Sequence, residues 1–289
     1  YYGEVQREIL EDLGSKVEFI ILEPPNGDFR GLWRKIRQLS SRVTFPQFLF
    51  AFRLAWAKMR KLDQLEKWLL ATRAYEENKG EVERVYHHGL KLIDQAQSLL
   101  ELVENCKLTE TKKSRVQVKK GINPLKVGIV GEIYTVIEPT VNLNLEKVLG
   151  ERGVEVERSI YLSHWIKSNL ILKNLGLGDD HHIREAAKPY LSHFVGGHGQ
   201  ESIGETVLYA ERGFDGVIHL APFTCMPEIV AQSILPKVSK EKNIPVLSLS
   251  LDEHAGEAGL ITRIEAFLEL LDRKREQGGP QRNEIVSGY

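Results

Sequence analysis

The second half of the chain predicts a doubly wound α/β fold with a parallel sheet, and three observations carry that prediction. Four short runs rich in Val, Ile and Leu, at 126–130, 154–160, 216–220 and 246–250, have the near-continuous apolar character of strands covered on both faces. Helical patterns separate them, near 142–150, 161–175, 183–191 with 202–212, and 228–240, and a last helix spans 260–273. Strand–helix alternation of this kind specifies parallel pairing with helices on both faces. With strand order 2-1-3-4 the sheet reverses between its first and third strands. The crevice outside their carboxyl ends is then the expected ligand site.

The first half reads differently. Residues 1–13 carry a helical pattern (Val5, Ile9, Leu10, Leu13) ended by Gly14. Residues 17–22 predict a strand, Pro24-Pro25-Asn26-Gly27 a turn, and 29–39 a helix with Leu32, Trp33, Ile36 and Leu39 on one face. That is the tail of an α/β unit whose first strands are absent. The chain begins at Tyr1, already in helical pattern, and so reads as a piece of a longer polypeptide. From 45 to 111 the pattern is continuously helical, with the charges as the solvated faces of a helical layer or arm. Lys112 to Lys120 is a basic linker and Asn123-Pro124 a boundary. The expected organisation is therefore 1–121, the remnant of an N-terminal α/β domain with a long helical segment; 122–275, the α/β domain; and 276–289, a flexible tail containing Gly278-Gly279-Pro280.

Composition bounds the function. The 289 residues carry a net charge of −1, which points to neither a nucleic-acid nor a membrane surface. Two cysteines far apart fit a reducing cytoplasm and argue against a disulfide scaffold. No apolar run is long enough to span a bilayer. Gly128-Ile129-Val130-Gly131 is not a G-x-G-x-x-G fingerprint, and neither G-x-x-x-x-G-K-[ST] nor G-x-S-x-G occurs, which disfavours dinucleotide, P-loop and serine-hydrolase chemistry.

The stretch from His219 to Glu228 organises the rest. It closes an apolar strand and opens an apolar-striped helix, with Cys225 between them. Pro227 fits only the first turn of a helix, where its missing N–H is no loss, so Cys225 stands at or next to the N-cap. Unpaired N–H groups and the positive end of the helix dipole lower a thiol's pKa and favour the thiolate. The bland reading is a small buried core residue. His219, inside the strand, reads as a satisfied buried imidazole. Cys106 has no partner at ligand spacing, and the adjacent His87 and His88 cannot share one helix face.

Polar groups gather on the loops that meet at the crevice. Gly131, Glu132 and Tyr134 follow the first strand, with Glu138 nearby, and the two carboxylates either contact a polar substrate or face water. Asp252, Glu253 and His254 follow the fourth strand, one of them expected to cap a helix. His198 lies among glycines (Gly196, Gly197, Gly199), where a ligand contact is the expected role. Ser202-Ile203-Gly204-Glu205 has the pattern of a capping box, which makes Glu205 structural.

Three of these stretches carry a resemblance. Residues 127–134 (VGIVGEIY), 222–228 (PFTCMPE) and 252–263 (DEHAGEAGLITR) resemble the CoA-enzyme-activase-related proteins of the 2-hydroxyacyl-CoA dehydratase and double-cubane-cluster reductase superfamily. The resemblance covers most of the chain and is densest over 125–272. It implies repeated Rossmann-like domains holding an iron–sulfur cluster of the 4Fe–4S type, and a separate or fused ATP-hydrolysing activase of the actin/sugar-kinase class that delivers low-potential electrons. A dehydratase subunit is the other implied partner. By residue, Cys225 matches the cluster cysteine of the C-terminal domain, while the family's remaining cysteines precede what is Tyr1 here. One thiolate cannot hold such a cluster, which needs roughly three or four ligands. The leading expectation is an iron–sulfur electron-transfer component whose parent binds the cluster. A docking domain that binds a partner through 45–111 comes second. A cluster-free thiol enzyme, with His198 or His254 as base to Cys225, comes third.

Overall fold

The computed structural model describes residues 2–19, 29–39, 42–172 and 181–277. Two helices, α1 (Tyr2–Asp12) and α2 (Phe29–Leu39), precede a helical layer of α3 (Phe45–Arg73), α4 (Glu81–Gln95) and α5 (Leu99–Lys113). The continuous helical pattern of 45–111 is thus broken twice. Gly80, at φ +80°, takes the left-handed conformation that starts α4, and Ser98 caps α5 by accepting the Glu101 N–H at 3.2 Å. Leu65, Ile93, Ala96 and Leu102 form the core of this layer. The strand expected at 17–22 is not formed over 17–19, where no strand among the described residues offers a ladder; 20–22, the turn at 24–27 and the tail from 278 lie outside the described residues.

The α/β region follows the predicted alternation. Its strands are β1 (Lys126–Gly131), β2 (Glu155–Arg158), β3 (Gly216–Pro222) and β4 (Val246–Leu251), all parallel in the order β2-β1-β3-β4. Side chains alternate across the sheet. Val127, Ile129, Ile218 and Leu220 pack on one face, against α7 (Leu145–Glu151) and α12 (Glu257–Gln277) through Leu145, Leu149, Ile264 and Leu271. On the other face Val130 and Val217 meet Tyr209 of α10 (Gly199–Glu211), beside α11 (Met226–Glu241). Gly128 is required there: a Cβ would lie 2.5 Å from the Tyr209 ring. The short α6 (Ile133–Ile137) follows β1. After β2 come α8 (Leu162–Ile166), a π-helical turn (Lys167–Leu172) and α9 (His181–Ala187). Where the pattern predicts one helix over 161–175, α8 therefore gives way to the π-helical turn at Lys167. Among the described residues no helix is long and apolar enough to cross a membrane.

The helical layer is fastened to the β2 edge by buried charge. Arg158 of β2 reaches Glu146 of α7 at 3.2 Å and also bonds Glu66 of α3. Arg73 of α3 bonds Glu83 and donates to the Glu146 carbonyl at 3.3 Å. Asp63 accepts the Ser163 N–H at 2.8 Å, capping the start of α8. Burial raises the Glu146 carboxyl above its ordinary value against the pull of Arg158. Removing one member of such a network strands the others. Arg158→Met is expected to lower the unfolding free energy by about 3–5 kcal/mol, read from urea denaturation of the full chain.

Candidate functional site

The candidate site lies where β1, β3 and β4 release their carboxyl-terminal loops. The turn after β3 is tight: Cys225 N–H returns to the Pro222 carbonyl at 3.1 Å, and Thr224 takes φ +67°. A β-branched residue in the left-handed region is strained by about 1–3 kcal/mol, a conformation retained where the surrounding structure imposes it. The turn makes Cys225 the N-cap of α11, as Pro227 in the first turn requires, with the thiol half-buried. The Cys225 side chain makes no cap hydrogen bond to the first turn of α11, although the nearby Glu228 N–H pulls its pKa down.

The Glu228 side chain turns the other way, into the protein. Its Oε2 lies 2.8 Å from His219 Nε2 and 3.0 Å from Ser202 Oγ, and His219 Nδ1 stands 3.3 Å from Ser248 Oγ. Glu228 and His219 are both 0% exposed. One carboxylate therefore ties α11 to β3, β4 and α10, directly beneath the thiol. Glu228 Oε1 has no hydrogen-bond partner.

This arrangement corrects the expected electrostatics of Cys225. Burial pushes the thiol pKa up, and the Glu228 and Glu132 carboxylates add to that, outweighing the downward pull of the Glu228 N–H. A helix N-terminus alone favours the thiolate; burial, with two like charges added to it, reverses the sign.

Gly131 and Glu132 serve the backbone. Gly131 has φ +143°, and a Cβ on it would lie 1.9 Å from the Leu220 carbonyl oxygen, so β1 can leave beside β3 only with glycine there. Glu132 is the N-cap of α6, its Oε2 accepting the Thr135 N–H at 3.1 Å. Tyr134 is exposed, as are Glu253 and His254, whose side chains stand 3.7 Å apart. Asp252 closes its own turn by accepting the His254 N–H at 2.9 Å, and α12 starts only at Glu257. It therefore caps a turn where a helix cap was expected.

His198 has a defined place. It is the N-cap of α10, and its Nε2 accepts the Trp165 indole N–H at 3.0 Å. The helix thus begins a turn before Ser202, and the expected capping box does not form. Gly199 packs on Pro227 so closely that a Cβ would lie 2.2 Å from its carbonyl oxygen, which brings the glycine loop against the start of α11. His198, Trp165, Tyr161, Phe194, Ser202 and Gly131 help line a cavity of about 100 Å³ between the sheet and α8–α10. Cys225, Glu132, Tyr134, Glu253 and His254 are not on its wall. The thiol instead opens on a rim with exposed Phe223 (65%) and Met226 (68%).

Sequence reasoning passed over Trp165, and it read Ser202 as a cap. It also left Glu228 unassigned, although an acidic residue three positions after an N-cap was a readable signal. Among the described residues no group of three or more His, Cys, Asp or Glu side chains could hold a metal ion. Cys106 packs on the helical layer's core.

The carboxylate beside the thiol can be tested directly. Glu132→Gln keeps an oxygen for the Thr135 N–H and removes the charge. Cys225 alkylation, followed by mass spectrometry below the thiol pKa, is expected to quicken by roughly two- to fivefold, with the pH-rate inflection moved to lower pH.

The family model of the 2-hydroxyglutaryl-CoA dehydratase D-component matches residues 178–271. No curated protein matches the chain. The matched segment, less than half of the chain, holds His198, Ser202, His219, Cys225, Glu228, Glu253 and His254, and runs through β3, β4 and the helices beside them. Over that segment the chain is similar to the D-component of a 2-hydroxyacyl-CoA dehydratase system.

Proposed function

We propose that the chain is part of a component of a 2-hydroxyacyl-CoA dehydratase-type system, in which Cys225 supplies one thiolate to an iron–sulfur cluster. The observation that supports this most is the place of Cys225: the half-exposed N-cap of a 16-residue helix, close to the first-turn N–H groups, inside the segment similar to a dehydratase component. Backbone N–H groups on ligand sulfurs tune iron–sulfur centres. A cluster of the 4Fe–4S type would supply one-electron transfer at low potential. The described residues fit only one corner of it, since Cys225 has no second ligand beside it. The remaining ligands then come from outside the described residues or from a partner. The exposed apolar rim of Phe223 and Met226 fits such a partner, an ATP-hydrolysing activase or a dehydratase subunit in this reading.

A cluster-free thiol enzyme is less well supported. No imidazole hydrogen-bonds Cys225 among the described residues: His198 accepts from Trp165, His219 bonds Glu228, and His254 pairs with Glu253 on the surface.

Anaerobic reconstitution with iron and sulfide distinguishes the two. The chain alone is expected to bind iron weakly. Together with a cysteine-bearing dehydratase or activase component it should develop thiolate-to-iron charge-transfer absorption, lost in Cys225→Ala at unchanged fold. Equal iron content in the wild-type and Cys225→Ala complexes would overturn the reading.

A further inference from the structure

The cavity beside the sheet holds a buried group that no role above uses. Ser168, in the π-helical turn, is 3% exposed, and its Oγ has no hydrogen-bond partner. In a regular helix a serine hydroxyl bonds back to the carbonyl four residues earlier. Here the His164 carbonyl receives the Lys167 N–H, and the neighbouring Asn169 amide takes the Trp165 carbonyl at 3.2 Å. A buried hydroxyl left unpaired destabilises the fold, and π-helical turns recur at functional sites. Ser168 lines the same cavity as His198.

The His198 ring supplies a second donor. Its Nε2 accepts the Trp165 indole N–H at 3.0 Å, so in the neutral ring the proton sits on Nδ1. That N–H has no hydrogen-bond partner among the described residues. Two neutral donors, one hydroxyl and one imidazole N–H, thus belong to one small chamber. The remaining wall narrows what can enter. Tyr161, Trp165 and Phe194 give it apolar surface; Glu201 and Glu205 outnumber Arg184, which disfavours an anion, while a cation without an acceptor atom cannot use the two donors. Its volume of about 100 Å³ suits a small amide or ketone and falls short of the roughly 300–1,000 Å³ typical of sites for larger ligands.

We infer that this cavity binds a small neutral molecule through a carbonyl-type oxygen, held by the Ser168 O–H and the His198 Nδ1–H. The site stands apart from the metal reading, because Cys225 is not on its wall and no cluster is needed to fill it.

Three nearly isosteric probes test it on the full chain: acetamide, acetate and acetamidinium. The readout is the Trp165 indole N–H resonance, assigned with Trp165→Phe. Acetamide is expected to shift it saturably, and the two charged probes to leave it in place at equal concentration. Ser168→Ala should weaken acetamide binding at least tenfold while raising Tm, the sign expected when an unpaired buried hydroxyl is removed. His198→Ala, which removes the other donor, should weaken it as much. The proposal fails if acetamide gives no saturable shift, which would leave the chamber to water alone. It also fails if acetate binds equally well, or if Ser168→Ala binds acetamide undiminished.

Discussion

The candidate site depends on one carboxylate. Glu228 begins α11 next to the thiol, yet its side chain points into the protein and joins Ser202 of α10 to His219 of β3, which in turn reaches Ser248 of β4. A fully buried charge is tolerated only when hydrogen-bonded or paired, so these four positions constrain one another. The consequence for Cys225 is geometric. The N-terminus of α11 cannot slide along the sheet without breaking the Glu228–His219 contact, and the strained Thr224 turn is held in place from the same point. A thiol at the end of a loop would otherwise wander; here its backbone is fixed from beneath.

A second buried polar network does comparable work at the opposite edge of the sheet. Arg158, Glu66 and Glu146 join the helical layer to β2, where an apolar contact of the same size would bind at least as strongly. What charge adds is direction. Arg158 satisfies two carboxylates from two different elements, so α3 has one orientation against β2 that leaves no carboxylate stranded. The helical layer is thereby set relative to the β2 side of the sheet, the side on which Tyr161 and α8 lead into the small cavity.

Much of this was legible in the sequence because it obeys local rules. Apolar runs marked all four strands to within two residues at either end, β2 being shorter than its run and β3 longer. Their parallel pairing followed from βαβ alternation, while the order β2-β1-β3-β4 entered the sequence reading only as a condition; Pro227 placed Cys225 at a helix start. What could not be read depends on contacts between distant residues. Ser202-x-x-Glu205 satisfies the capping rule, but Pro227 packing on Gly199 and Glu228 claiming Ser202 start α10 a turn earlier. The direction of the Cys225 pKa is a matter of which carboxylates lie near it in space, and Glu132 arrives from a different strand. Trp165 gave no signal at all, because its indole matters only through a histidine 33 residues away.

The raised pKa of Cys225 bears on what the thiol is suited for. A nucleophilic cysteine needs a stable free thiolate, which an adjacent base or cation provides. Here burial and two carboxylates oppose the free anion, and no imidazole or lysine reaches it among the described residues. The same negative surroundings stabilise a bound cation. A metal ion that deprotonated the thiol would bring charge that offsets the carboxylates penalising the bare thiolate. In the proposed reading Glu132 would therefore act in opposite senses on the two chemistries, suppressing alkylation of the free thiol and favouring its ligation. The electrostatics of this helix terminus fit a ligand better than a nucleophile.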